Sequence, residues 1–332
     1  KDMTVLLCKK KANCRLVNSI PKEVTILDEA NLTFLPKSIK NPVEVENERI
    51  AHIKDGVALT KFICWLKKNV GKIPITELSA GEKLYSFRAQ QENFIDNSFD
   101  PIISYGIHAA INHYSATPET DIAIEPGNFL LADTGGHYYE GTTDTTRTIV
   151  MGSVNDEQKK YFTAVLRGML NLGNAKFRYG CTGVNLDYLA RGPLWEMGQD
   201  FNHGTGHGVG YLLNVHEGPN SFRWRIIQGD NAVLEEGMIT SDEPGYYVEN
   251  QYGIRHENLL VCKKAEKTTF GQFMCFEHLT MVPFDLDAVV PELMTMQERA
   301  LLNSYHAQVY KKISPYLEEE EKEWLKEATR EI

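Results

Sequence analysis

Four carboxylates and one histidine, Asp133, Asp144, His207, Glu243 and Glu257, stand inside otherwise apolar stretches rich in Gly and Thr. The stretches read LLADTGG (130–136), GTTDTTRT (141–148), HGTGHGVG (203–210) and the pair ITSDEPG (239–245) with YGIRHENL (252–259). Burying unpaired carboxylates is costly, so whatever fold encloses these segments must bring cations to them. A two-metal hydrolase site satisfies that demand.

The bulk composition narrows the alternatives. A chain of 332 residues exceeds the usual single core, which predicts one large domain with appendages or two domains. With 42% hydrophobic and 24% charged residues it reads as an ordinary globular protein. A formal charge of -10 without a basic stripe argues against a nucleic-acid surface, and no apolar run is long enough to span a membrane. The six cysteines (Cys8, Cys14, Cys64, Cys181, Cys262, Cys275) lack CxxC spacing, so neither a zinc ribbon nor a disulfide framework is expected, and a reducing, cytoplasmic compartment fits. The opening KDMTVLLCKKKANC has no initiating Met and an apolar patch too short for a signal segment, so it is read as a cut inside a longer chain.

Three regions are expected: a remnant or linker over 1–44, a catalytic domain over 45–290 and a helical extension over 291–332. Helical spacing predicts a helix over 47–70 ending at Gly71, and Ser79 with Glu82 reads as the capping box of the next. Strands are expected within 99–117 and 128–151, helices over 156–179 and 184–197, and a strand-rich block over 209–282. Thr295 with Glu298, and Ser314-Pro315, mark the starts of two terminal helices. The order suggests an α+β fold of two similar halves.

Asp133 and Asp144 flank a turn-forming centre at 138–141, which would place them opposite each other on one face of a hairpin. Turn-capping aspartates are the plain alternative. Glu243 and Glu257 are read likewise, on strands 238–241 and 252–262; alternation puts Arg255 on the face of Glu257 and turns His256 away, a structural salt bridge being the alternative. His207 lies among Gly204, Gly206, Gly208 and Gly210, which let the backbone approach a ligand closely, and His203 and His216 are near it in sequence. Such an oxygen-rich donor set suits two divalent ions, manganese by preference, with zinc, cobalt or iron also fitting. Two ions about 3.5 to 4 Å apart can share a hydroxide nucleophile and polarise a carbonyl.

Taken in order, AHIKDGVAL, IHAAINHY, ADTGGHYYEGTTDTTRT, HGTGHGVGYLLNVHEGP, SDEPGYY and YGIRHENL resemble the pita-bread metallopeptidases, and among them the long-form Xaa-Pro aminopeptidases (aminopeptidase P). The likeness runs from about Glu46 to the C-terminus. It implies two pseudo-symmetric α+β halves around a curved antiparallel sheet, with C-terminal helices. It further implies that Asp133, Asp144, His207, Glu243 and Glu257 hold two metal ions, with Asp144 and Glu257 bridging. His113, in AINHY, would hold substrate and pass protons near the scissile nitrogen; His203 and His216 would face the substrate, Arg255 would bond near the bridging residues, and Glu243 would also serve as general base. The implied reaction releases the N-terminal residue from peptides with proline second, by attack of a metal-bridging hydroxide, in a homodimer. A prolidase acting on Xaa-Pro dipeptides is the alternative within enzymes, and a metal-free peptide-binding module the alternative outside them. Two departures stand out. The long form carries two further N-terminal domains where only about 44 residues precede the likeness here, and SYGIHAAINHY replaces the Gly-Pro-Asn-Gly character usual before the shuttle histidine.

Overall fold

Asn41 opens the longest helix, Pro42–Asn69: its side chain accepts the backbone N–H groups of Val43 and Glu44, while Glu44 returns a bond to the Asn41 N–H. Pro42 occupies the first turn, where a missing N–H costs nothing, so the helix starts five residues earlier than Asn47. Pro42 lies within the stretch expected as a remnant or linker, and it is a helix start. The computed structural model describes residues 3–227 and 229–332. Leu59, Phe62, Ile63 and Leu66 of this helix pack against Leu84, Ile103, Leu130 and Ile149 in the first core. The next helix, Glu77–Arg88, is capped by Thr76 with Ser79, one turn before the expected Ser79 and Glu82.

Each half then builds an antiparallel sheet. In the first, Asn128–Thr134 lies between Ile102–Tyr105 and Thr145–Met151. In the second, helices Asp156–Gly173 and Gly183–Trp195 cover a sheet ordered Ile239–Asp242, Asn258–Thr268, Gly271–His278, Lys176–Arg178. In both, the central strand pair continues into a shorter hairpin, Gly136–Tyr138 with Gly141–Thr142 and Gly245–Val248 with Tyr252–Arg255. The large core lies between the halves and the C-terminal helices, joining Phe129, Phe162, Met169, Ile254, Phe284 and Tyr305.

Several expectations need correction. The helix expected to reach Tyr179 ends at Gly173; Asn174 bonds back to the Leu170 carbonyl, and Lys176–Arg178 becomes an edge strand that buries Phe177 against Phe276. Only Ile102–Tyr105 of 99–117 is strand, because Gly106, at φ +56°, turns the chain into a 3-10 turn over Gly106–Ala110 and a loop. Between 209 and 238 the described residues are largely irregular, with Ser221–Phe222 their strand. Thr295 and Glu298 do cap Met296–Ile313, but Ser314–Tyr316 is a single 3-10 turn, and the last helix, Glu319–Ala328, takes its cap from Glu318 and Glu321. Glu319, Glu320 and Glu321 occupy the first turn of that helix, where negative charge is favoured.

Near the N-terminus, Thr4–Leu7 and Thr25–Asp28 pair in parallel. The following segment joins the second half through an Ile39 and Met238 bridge and a bond from the Lys40 N–H to the Gly237 carbonyl. Among the described residues no helix is long and apolar enough to cross a membrane.

Candidate metal centre

The two hairpins deliver the acids. Asp242 pairs with Asn258 on one ladder and Gly245 with Arg255 on the next, so Glu243 and Glu257 fall at facing positions between the ladders. The first half differs: Asp133 pairs with Thr146, which leaves Asp144 two residues off the directly opposed position. The cause is the turn, which closes through the Tyr138 and Gly141 pair, one residue later than the midpoint of the two aspartates. At Gly141 a Cβ would lie about 2.4 Å from the buried Glu48 carboxyl, so only glycine fits there. Asp144 still shares a face with Asp133, diagonally.

His207 comes from the opposite side on a two-residue strand, Gly206–His207, paired with Ser221–Phe222 and bridged through Gly208 to Thr240. The flanking glycines serve a purpose other than ligand approach. A Cβ at Gly206 would stand 1.8 Å from the Ser241 carbonyl oxygen and one at Gly208 2.2 Å from that of Glu217, so they let backbone lie on backbone. His207 Nδ1 faces the Gly208 carbonyl at 3.0 Å, which requires it to donate; Nε2 is thereby the nitrogen turned toward the acids, 3.4 Å from Asp144 and 3.6 Å from Glu243.

The five candidate ligands therefore converge. Ligand atoms of Asp133, Asp144 and Glu257, of His207, Glu243 and Glu257, and of Asp144, His207 and His216 each lie within 4.8 Å of one another. They line a cavity of about 450 Å³ that also receives His113, His203 and Arg255. Burial pushes the Asp144 carboxyl up to about 7, despite its bond to His207. Burial and then the neighbouring Asp144 raise Glu257 well above the carboxylate range, and burial raises Glu243 too. For His207 burial alone would lower the value, yet the bond to Asp144 and the charge of Glu243 push it up to about 9. One oxygen of Asp133 is buried without a partner among the described residues. A crowd of hard oxygen donors held together against their own repulsion, one of them orphaned, fits divalent ions.

Supporting side chains orient the donors. Thr146 donates to Glu257 at 2.7 Å and Ser241 donates to Glu243 at 3.1 Å. Arg255, nearly fully buried, donates to Asp133, to Thr146 at 3.2 Å and to the Tyr247 hydroxyl at 2.8 Å. It pairs with Asp133 rather than Glu257. The Tyr247 hydroxyl in turn meets His203 Nε2 at 2.9 Å, and since His203 Nδ1 must donate to the Gly204 carbonyl, Tyr247 donates and His203 accepts. Burial and Arg255 hold His203 down to about 3, so it stays neutral in that chain. His216 sits edge-on to His207, ring centroids 4.2 Å apart, and burial followed by the His207 charge lowers it to about 4. His113 stands exposed at the cavity rim, and His256 is turned away into Phe162 and Phe284.

Sequence reasoning missed Thr146, Ser241, Arg147 and Tyr247 as parts of this centre. For Tyr247 a signal existed: positions 245, 247, 253 and 255 share one hairpin face, and Gly245 and Gly253 leave it open for the Tyr247 ring. Arg147 carries no such signal, because most of its contacts come from segments more than a hundred residues away.

Two α+β halves sharing one carboxylate and imidazole cluster define the pita-bread class of metallopeptidase. The chain belongs to metallopeptidase family M24, whose sequence pattern matches residues 46–264, with the C-terminal region of that family matching 272–332. A probable Xaa-Pro aminopeptidase P of Paracoccidioides brasiliensis is 43% identical over 303 residues, covering 89% of this chain and 49% of the relative. The X-prolyl aminopeptidase of Caenorhabditis elegans, described as a cytosolic enzyme with a di-nuclear active site, superimposes with a TM-score of 0.87 at 36% identity, over 94% of this chain and 51% of that one. The Xaa-Pro dipeptidase of Bacillus anthracis has a TM-score of 0.69 at 25% identity, over 85% and 74%. The chain thus spans about half the length of the curated relatives it matches.

Proposed function

We propose that this chain carries the catalytic centre of an aminopeptidase that releases the N-terminal residue from peptides with proline in second position. The observation that carries the reading is the meeting of all five candidate ligands in one cleft with His113, His203, His216 and Arg255. Kinship with an Xaa-Pro aminopeptidase P at 43% identity supports the substrate class. Asp133, Asp144, His207, Glu243 and Glu257 would hold two divalent ions, manganese by the hardness of the oxygen set. When bound, such ions supply Lewis acidity toward the scissile carbonyl and lower the pKa of water at the site.

The remaining work falls to the protein. Thr146 and Ser241 fix the carboxylate lone pairs of Glu257 and Glu243, and the Gly208 carbonyl fixes the His207 tautomer. Arg255 offsets part of the clustered negative charge while holding Asp133 in place. His203, neutral and fed by Tyr247, and His216, also neutral, line the substrate side, and Glu243 serves as base toward water. His113 protonates the departing proline nitrogen, which as a tertiary amide nitrogen has no proton of its own. Selectivity for proline then rests on shape and trans geometry in the cleft.

Assay of an Xaa-Pro-Pro peptide, with chelator and then added manganese, tests the reading; activity that survives exhaustive chelation would overturn it. The likeness to an Xaa-Pro dipeptidase supports a second reading, prolidase action, which cleavage of Ala-Pro without cleavage of the longer peptide would establish. Absence of bound metal and of manganese-restored activity would indicate a peptide-binding module instead. We also propose a homodimer in the cytoplasm, checked by light scattering and fractionation, and a division into a remnant or linker over 1–44, a catalytic domain over 45–290 and a helical extension over 291–332, checked by limited proteolysis.

A further inference from the structure

His113 stands on a loop with little regular structure: after the 3-10 turn over Gly106–Ala110, the bonds from the Ile111 N–H to the His108 carbonyl and from the Tyr114 N–H to the Ile111 carbonyl are its local ties. Because the imidazole is exposed at the cavity rim, its place is set by where that loop runs. Two contacts seat the loop. Ala109 rests on the Tyr252–Arg255 hairpin, so closely that a Cβ at Gly253 would stand 1.8 Å from its carbonyl oxygen. On the other side lies Glu77, the first residue of its helix and 1% exposed.

The Glu77 carboxylate accepts the Tyr105 N–H at 2.7 Å, faces His108 Nδ1 at 2.9 and 3.0 Å, and lies 3.1 Å from the Tyr114 hydroxyl. His108 and Tyr114 also stack, ring centroids 4.2 Å apart, and the Tyr114 hydroxyl is shared with Thr120 at 3.1 Å. One buried carboxylate therefore ties the residue that leads into the loop, a residue in its middle and the residue directly after His113. The first turn of a helix suits that charge. Glu77 lines a separate cavity behind the loop and not the cleft, so it touches neither substrate nor the candidate ligands.

We infer that Glu77 is a positioning residue for the reaction, a buried clamp that closes loop 105–114 and sets His113 over the scissile nitrogen. This rests on the function proposed above, in which His113 acts on that nitrogen. Glu77→Gln keeps the shape but removes the charge and one acceptor, leaving a single oxygen for the Tyr105 N–H and His108 Nδ1 and an amide N–H against the Tyr114 hydroxyl, which loosens the clamp. With full metal content, kcat on an Xaa-Pro-Pro peptide is expected to fall about tenfold to a hundredfold, the scale of a 1 Å misplacement. In a His113→Ala background the same change should cost less than about twofold, since coupled residues are non-additive. Tyr114→Phe, a gentler change that keeps the ring, should give a smaller loss with the same dependence on His113. An equal loss in both backgrounds, or loss of bound metal, would overturn the inference. Amide hydrogen exchange decides the clamp without any turnover: Glu77→Gln should speed exchange over 106–114 and not in the sheets, and unchanged exchange there overturns it. A wild-type chain inactive on the peptide would sink the proposed function while leaving the exchange result to judge the clamp.

Discussion

Replacing Arg147 with methionine tests whether the buried guanidinium that joins residues 257–258, residues 282–283 and Tyr305 supports the metal centre. Arg147 is 1% exposed and spends its whole guanidinium on neutral oxygens: the carbonyls of Thr146 at 2.9 Å, Glu257 at 2.6 Å, Val282 at 2.8 Å and Pro283 at 3.1 Å, the Asn258 side chain at 2.8 Å and the Tyr305 hydroxyl at 3.0 Å. Its cation also lies 4.0 Å from the Phe284 ring centroid. Six bonds to a charged donor at about 1.5 to 3 kcal/mol each would sum far too high, because burying the cation costs several kcal/mol that the variant recovers. What remains is the cost of leaving buried neutral oxygens without donors, about 1 to 3 kcal/mol for each, or about 2 to 6 kcal/mol for two that find no other partner. That is a large share of a typical folding free energy. Urea unfolding in manganese-saturated buffer, read as a midpoint shift at constant m, measures it. Because Arg147 grips the Glu257 backbone, metal affinity should weaken as well. A shift below about 1 kcal/mol with unchanged metal affinity would refute the reasoning, since the guanidinium would then be replaceable by packing alone.

Asp144→Asn should remove hydrolysis and lower the bound metal per chain by elemental analysis; two ions retained per chain would contradict the assignment of Asp144. Since burial pushes the metal-free Asp144 carboxyl up to about 7, it is protonated below that pH and must lose its proton to bind a cation. Calorimetry in two buffers should therefore show proton release at pH 6 and weaker manganese binding there than at pH 8; equal affinity at both would contradict it. At the surface, burial would raise Glu277, but bonds from Arg49 and Lys263 pull it down to about 2. A depressed carboxylate stabilises above its unfolded value and loses that contribution as pH falls through about 2, so Glu277→Gln should cost under about 1 kcal/mol at pH 6, and less still toward pH 2. A cost that grows on acidification would contradict that sign.

Much of the fold could be read locally. The Thr295 and Glu298 cap lies in adjacent sequence, and so does the periodicity of the first helix, so both follow from short-range bonding. The misreadings occur where a distant partner decides. Lys176–Arg178 reads as the tail of a helix until Gly271–His278 offers it an edge to pair with. The early start of the long helix at Pro42 is instead a local effect, set by the cap that the adjacent Asn41 supplies. Among the residues that hold the donors in place, Thr146 shows the same pattern: it gains its role only from Glu257, which it meets across the two halves.

The sequence by itself determined the chemical inventory: four acids and a histidine in segments apolar enough to be buried, and glycines that leave room around them. That much follows because desolvating carboxylates without a cation is prohibitive wherever the chain folds. Tertiary structure alone decided the geometry. The hairpin register puts Asp133 opposite Thr146 instead of Asp144, and the second half brings Arg255 to Asp133 and His207 to Asp144. Distances across two halves of a fold depend on where each turn closes and which strand finds which edge, and those are non-local choices that no single segment encodes.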